Sequence, residues 1–288
     1  MCIRDRYHKG GVDEKLAQAI GKALRSVDVA AYDFDLENLA HALAFVGPLV
    51  TPCPLVVTIF DLSFLRFPER FRLPNRLYLR WFTRLTARRA RRIIAISRHT
   101  KRDVVSLLGV PEGRVDVVYC GVSVELRPRP QEEVDAFRRQ HGLPERFILY
   151  LGTLEPRKNI SGLLRAFAQA RRRQFIDSQV KLVVAGAKGW HYKNIFALVE
   201  REGLQDDVLF PGYVPEEKKV WWYNAACCFV YPSLYEGFGL PPLEAMACGT
   251  PVIVSNAASL PEVGGEAAIL VDPHDAEELS QALGEVLG

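Results

Sequence analysis

The feature that most constrains this chain is the regular alternation of short apolar runs with helix-period segments through its second half. The runs fall at 147–152 (Phe-Ile-Leu-Tyr-Leu-Gly), 181–186, 208–210, 228–231 and 251–255. Segments at 163–173, 194–202, 216–225 and 242–248 carry helical spacing, and Gly203 closes the second of them. A continuous apolar run, unlike a strictly alternating one, predicts a strand buried on both faces. Five such strands with helices between them predict an α/β fold with a parallel, doubly wound sheet. Ligands in such sheets sit at the carboxyl ends of the strands, so chemistry is expected in the loops that follow them.

The first half reads the same way with fewer elements. A strand at 55–60 precedes a helix at 75–90 introduced by Pro74, then a strand at 92–97, a helix at 99–108 ended by Gly109 and Pro111, and a strand at 115–120. The Arg-Pro-Arg-Pro stretch at 127–130 is the best linker in the sequence. Two domains are therefore expected, at 1–127 and 128–288. The 288 residues, 49% hydrophobic and 25% charged, can bury a core in each and are wrong for disorder.

Residues 42–60 carry no charge over nineteen positions, but Gly47, Pro48, Pro52 and Pro54 break any helix there, so a loop and a buried strand are expected rather than a membrane span. No apolar leader is visible, and the first six residues fit neither strand nor helix and are set aside as a scar. Six cysteines show no Cys-x-x-Cys pair and no metal-ligand spacing, which predicts free thiols in a reducing, cytoplasmic compartment.

Charge is unevenly spread. Residues 70–102 hold twelve Lys/Arg and no Asp or Glu, against 25 cations and 34 anions elsewhere. Leu73, Leu77, Trp81 and Leu85 form a stripe at helical spacing beside Arg72, Arg76, Arg80, Arg84 and Arg88. Trp81 and Phe82 are expected on or beside the buried side, which removes the aromatic interleaving of a nucleic-acid surface, so no nucleic-acid partner is expected. An anionic membrane surface or a solvated helix face remains.

The densest loop runs from Pro232 to Pro251 and holds Glu236 and Glu244, eight positions apart. Glu236 falls on the strand-to-helix turn and Glu244 about one turn into the helix begun by Pro241 and Pro242, so both can face one pocket. Gly237 and Gly239 allow close backbone approach, and the helix N-terminus behind them favours negative charge: a phosphate seat. A second loop, 151–159, brings Arg157 and Lys158 together, cations suited to a diphosphate or simply to a solvated surface. Asp33 and Asp35 match a metal-binding Asp-x-Asp by a spacing common by chance, and no metal is expected. His41 and His99 suit either structural or cleft positions, and Trp221, Trp222 and Tyr223 read as packing.

Together these loops resemble the family 4 retaining glycosyltransferases of the GT-B fold, from about Leu39 to the end of the chain. The most specific element is Glu-x7-Glu at Glu236 and Glu244 with Gly-Phe-Gly-Leu-Pro between them, supported by Gly-Thr-Leu-Glu-Pro-Arg-Lys-Asn at 152–159. The resemblance implies two Rossmann-like domains whose parallel sheets face a cleft, the first of them incomplete. It implies that Glu236 lies against a donor sugar, Glu244 binds ribose hydroxyls, and Arg157 and Lys158 hold a diphosphate. Gly152, Thr153, Gly237, Phe238, Gly239 and Leu240 complete the implied donor-binding set. Asp61 joins the implied catalytic set, with His41 and His99 on the acceptor side.

The implied activity transfers a hexose from a nucleotide diphosphate sugar, of GDP-mannose or UDP-glucose type, to a glycan or lipid-linked hydroxyl acceptor. Configuration is retained, no metal or covalent cofactor is needed, and the expected setting is cell-envelope polysaccharide synthesis, cytoplasmic or peripheral at the inner membrane face. Phe60 stands where many members carry His, and Thr153 where many carry Arg. The family pattern extends beyond both ends, so a fragment of a longer product is expected, with a catalytically silent nucleotide-binding fragment as the alternative. A phosphorylase on the same fold would need a pyridoxal phosphate lysine site that nothing here suggests.

Overall fold

The computed structural model describes residues 54–68 and 73–288. His41, Asp33, Asp35, Arg70 and Arg72 lie outside the described residues, as do Cys2 and Cys53. The chain divides into two compact units, one ending at Gly121 and the other beginning at Val122.

In the first unit three parallel strands, β1 (Val56–Ile59), β2 (Arg92–Ala95) and β3 (Val115–Val117), pair in sequence order. The helices are α1 (Ser63–Arg66), α2 (Leu73–Arg89) and α3 (Arg98–Leu108). Ser97 starts α3 by accepting the Thr100 N–H at 2.9 Å, and Gly109 ends it in the left-handed conformation at φ 69°.

The face that α2 turns inward differs from the expectation. Leu79, Thr83, Thr86 and Ala87 are buried, whereas Leu77, Tyr78, Trp81 and Leu85 are exposed, Trp81 to 73%. Small and β-branched side chains let the helix approach the unit's core closely, and that contact outweighs the larger apolar stripe.

In the second unit six parallel strands lie in the order β6-β5-β4-β7-β8-β9. They are β4 (Phe147–Leu151), β5 (Lys181–Ala185), β6 (Val208–Gly212), β7 (Cys228–Tyr231), β8 (Val252–Ser255) and β9 (Ile269–Val271). The accompanying helices are α4 (Gln131–Gln140), α5 (Ile160–Arg172), α6 (Lys193–Glu202), α7 (Lys219–Ala225), α8 (Leu240–Ala247), α9 (Leu260–Gly264) and α10 (Ala276–Leu287). The expected five strands are all present, and β9 is the sixth. Every residue of β4, β7 and β8 is buried, as continuous apolar runs require.

The 127–130 stretch is strapped to this unit. Asn224 accepts the Arg129 N–H at 2.8 Å and donates to the Arg127 carbonyl at 3.1 Å, while Leu126 is buried in the core.

Candidate active site

The strand order places two loops side by side. The chain leaves β4 for β5 and β6 on one side, then returns to lay β7 on the other side of β4. The loops after β4 and β7 therefore meet at the point where the winding reverses, the place where open parallel sheets hold their ligands. They are joined directly: the Leu234 N–H donates to the Arg157 carbonyl at 2.9 Å.

Four charged side chains from these loops converge, Glu155, Arg157, Lys158 and Glu236. Lys158 Nζ donates to Glu236 Oε1 at 2.7 Å and to Tyr231 Oη at 2.7 Å. Arg157 Nη1 donates to Glu236 Oε2 at 3.3 Å and to the Tyr235 carbonyl at 3.0 Å, and its other nitrogens pair with Glu155 at 2.9–3.1 Å. Glu236, Lys158 and Glu155 are all buried. Burial pushes the Glu236 carboxyl upward, but the charges of Lys158 and Arg157, with the Lys158 hydrogen bond, outweigh it and hold the group below its ordinary value. Glu236 is thus an anion held in place by two cations.

The backbone around Glu236 is fixed from behind. Ser259 Oγ lies 2.9 Å from the Glu236 carbonyl and 2.6 Å from that of Phe238. Gly239, at φ 124°, turns the chain into α8, where Pro241 and Pro242 fill first-turn positions that have no intrahelical acceptor. Gly237, Phe238 and Gly239 are buried and Leu240 is exposed.

Glu244 lies one turn further along α8. It is buried, accepts from Tyr223 Oη at 2.7 Å and pairs with Lys219 Nζ at 3.4 Å. Tyr223, expected only as packing, holds this carboxylate as well. Gly152 directly follows β4, where a Cβ would stand 2.9 Å from Tyr150 Oη, and Thr153 is exposed.

The remaining expected residues belong to the first unit. Asp61 Oδ1 accepts the Ser63 N–H at 2.8 Å in the turn that leads into α1, while Phe60 is exposed just after β1. His99 sits on α3 with Nε2 3.6 Å from Asp103 Oδ2, and Asp103 also pairs with Arg66. Among the described residues no group of three or more His, Cys, Asp or Glu is placed to hold a metal ion, and no helix is long and apolar enough to cross a membrane.

Glu155, Tyr231, Tyr223, Lys219 and Ser259 escaped the sequence reading. Tyr231 and Tyr223 sit in apolar segments that look like core, and Glu155 carries no spacing signal of its own. Only Lys219 has one, three positions from Glu216, which it pairs with at 2.7 Å.

The chain is similar to known proteins over most of its length. Residues 133–288 match the family model described as Glycosyl transferases group 1, and residues 9–126 match that described as Glycosyltransferase Family 4. The chain is 36% identical over 230 residues to O-antigen chain mannosyltransferase B of Escherichia coli, covering 78% of this chain and 59% of that protein. It is 33% identical over 203 residues to the serotype-specific mannosyltransferase WbdA of Escherichia coli, covering 69% and 25%. Among solved structures, Anabaena Alr3699/HepE in complex with UDP and glucose matches with a TM-score of 0.68 at 26% identity, over 81% of this chain and 61% of that one. Sucrose-phosphate synthase from Thermosynechococcus elongatus matches with a TM-score of 0.67 at 29% identity, over 80% and 58%. The chain spans 59% of the length of the first of these relatives and 25% of the second.

Proposed function

Since this chain belongs to the group 1 glycosyl transferases and has their GT-B fold, we propose that it takes part in moving a hexose from a nucleotide diphosphate sugar to a hydroxyl acceptor with retention of configuration. The observation that carries this reading is the Lys158–Glu236–Arg157 cluster, buried at Lys158 and Glu236, beside the N-terminus of α8. Arg157, Lys158 and that N-terminus neutralise the charge that builds on the departing diphosphate. Glu236 orients the sugar and stabilises its cationic character, and a leaving phosphate oxygen takes the acceptor's proton. Glu244, held by Tyr223, accepts from the ribose hydroxyls. The reaction so read needs neither a metal nor a covalent cofactor.

The relatives named as O-antigen and serotype-specific mannosyltransferases support a mannose donor, GDP-mannose, and a role in cell-envelope polysaccharide synthesis. The neighbour solved with UDP and glucose keeps UDP-glucose as the competing donor. Calorimetry with GDP, UDP and ADP and their sugar conjugates decides between them. One nucleotide is expected to bind selectively, and Glu244→Ala to weaken it by about ten- to a hundredfold, the worth of hydrogen bonds to a charged group. No binding by any of them would overturn the reading. Binding without diphosphate-linked turnover on any acceptor would favour a silent nucleotide-binding fragment, to which the exposed Phe60 already points.

The acceptor side supports a cytoplasmic protein peripheral at an anionic bilayer. Leu77, Trp81 and Leu85 are exposed on the same helix as Arg80, Arg84 and Arg88, an apolar stripe and a cationic one side by side. Cosedimentation with vesicles rich in anionic lipid should fall several-fold on Trp81→Ala and with added salt. Equal binding to neutral vesicles would remove the anionic lipid from the reading, and binding to neither would remove the membrane.

A further inference from the structure

Lys158 is only 8% exposed, yet its ammonium meets two acceptors among the described residues, Glu236 Oε1 and Tyr231 Oη. An ammonium has three N–H groups, so one is left for a ligand. Which one is left depends on Tyr231. That side chain belongs to the last residue of β7, and it meets the ammonium through its hydroxyl.

The Tyr231 ring cannot easily turn. It stacks on Tyr150 from the neighbouring strand (5.9 Å, 13°) and on Phe229 (5.9 Å, 20°), and it is buried. Its hydroxyl oxygen accepts from the Lys158 ammonium at 2.7 Å, and the same ammonium donates to the Glu236 carboxylate at 2.7 Å, so the phenol acts on the anion through the cation they share. Burial first, and then the charge of Glu236, push the phenol far above its ordinary value, so it keeps its proton. Tyr150 contributes differently: its hydroxyl donates to the Thr153 carbonyl at 3.3 Å and does not touch Lys158.

We propose that Tyr231 is a positioning residue that sets Lys158 and Glu236 for the diphosphate of the donor, binding one N–H of the ammonium so that another is presented to a phosphate oxygen. The proposal rests on the nucleotide-sugar reading above. It separates two tyrosines that look alike in sequence: Tyr231 acts on the ligand through Lys158, and Tyr150 supports the loop backbone.

The test compares the 288-residue chain with Tyr231→Phe and Tyr150→Phe by calorimetry against nucleoside diphosphate and nucleoside monophosphate of the base the chain prefers. Tyr231→Phe should lose about tenfold in diphosphate affinity and less than about twofold for the monophosphate, since one hydrogen bond to a charged group is removed. Tyr150→Phe should leave both within about twofold, a neutral bond of 3.3 Å being worth less. A partly unfolded sample would lose both ligands in proportion, so the ratio of the two affinities reads positioning rather than stability. Equal losses for both ligands, no loss for either, or the same selective loss in Tyr150→Phe would overturn the proposal while leaving the donor site standing. Wild-type chain that binds neither ligand would overturn the nucleotide-sugar reading, and the proposal with it.

Discussion

Lys158→Met should be the most damaging single change at the site, removing both stability and turnover. It takes one cation from a buried carboxylate that keeps only Arg157 at 3.3 Å, and breaking a buried pair in this way costs about 3–5 kcal/mol. Thermal or urea unfolding would show the loss. Adding Glu236→Gln should restore a substantial part of it, because the second substitution removes the anion that was left under-compensated. No recovery in the double variant would mean that the lysine stabilises by packing alone. In the proposed transfer, where Lys158 stabilises charge building on the diphosphate, turnover should fall by about 10²–10³.

The pH dependence has a definite sign. The Glu236 carboxyl is held below its ordinary value in the folded chain, so its ionisation contributes stability above the ordinary carboxylate range and that contribution disappears as pH falls through the folded value. Lys158→Met removes one of the two charges responsible. The stability gap between wild type and variant should therefore be widest near neutrality and narrow once pH drops below about 4. A gap independent of pH would exclude the ion pair as its source.

Gly186→Ala should be nearly as severe, although residue 186 bears no side chain and forms no part of the charge cluster. Gly186 ends β5 at φ 149°, and a Cβ there would stand 1.9 Å from the Gly152 carbonyl oxygen, a backbone atom that no rotamer change can move. The unfavourable φ costs about 1–3 kcal/mol and forced overpacking about 1–3 more, so a loss of about 2–6 kcal/mol is expected in chemical denaturation. Gly152 starts the loop that carries Arg157 and Lys158, so donor affinity should fall in whatever fraction stays folded. Gly203→Ala is the control: its φ is 69° but open space surrounds it, so only the backbone strain applies. Equal losses at the two positions would deny that the Gly152 contact matters.

The expectation for Gly152 and the silence about Gly186 show where sequence reading stops. Gly152 belongs to a motif, whereas Gly186 matters because β5 pairs beside β4 and its loop runs along the next, with Leu154 bridging Lys188. The stripe on α2 carries the same lesson in another form. Periodicity identified Leu77, Trp81 and Leu85 as a coherent face, but could not tell which face is buried, and Leu79, Thr83 and Ala87 are the buried ones. Strand β9 was passed over because three residues among glycines, alanines and acids carry no period of their own, and pairing with β8 makes them a strand.

Sequence by itself determined the class of the fold and the identity of the charged groups: apolar runs long enough only for strands must be buried on both faces, Glu236, Arg157 and Lys158 lie in the segments that follow them, and Glu244 in the helix just beyond. Which of those groups meet was decided by tertiary structure. The order β6-β5-β4-β7-β8-β9 sets the loop after β4 against the loop after β7, although Lys158 and Glu236 are 78 positions apart. Charges on separate loops have no sequence signature of contact. Only the reversal of winding between β4 and β7 brings them within 2.7 Å, in an interior where neither would be stable without the other.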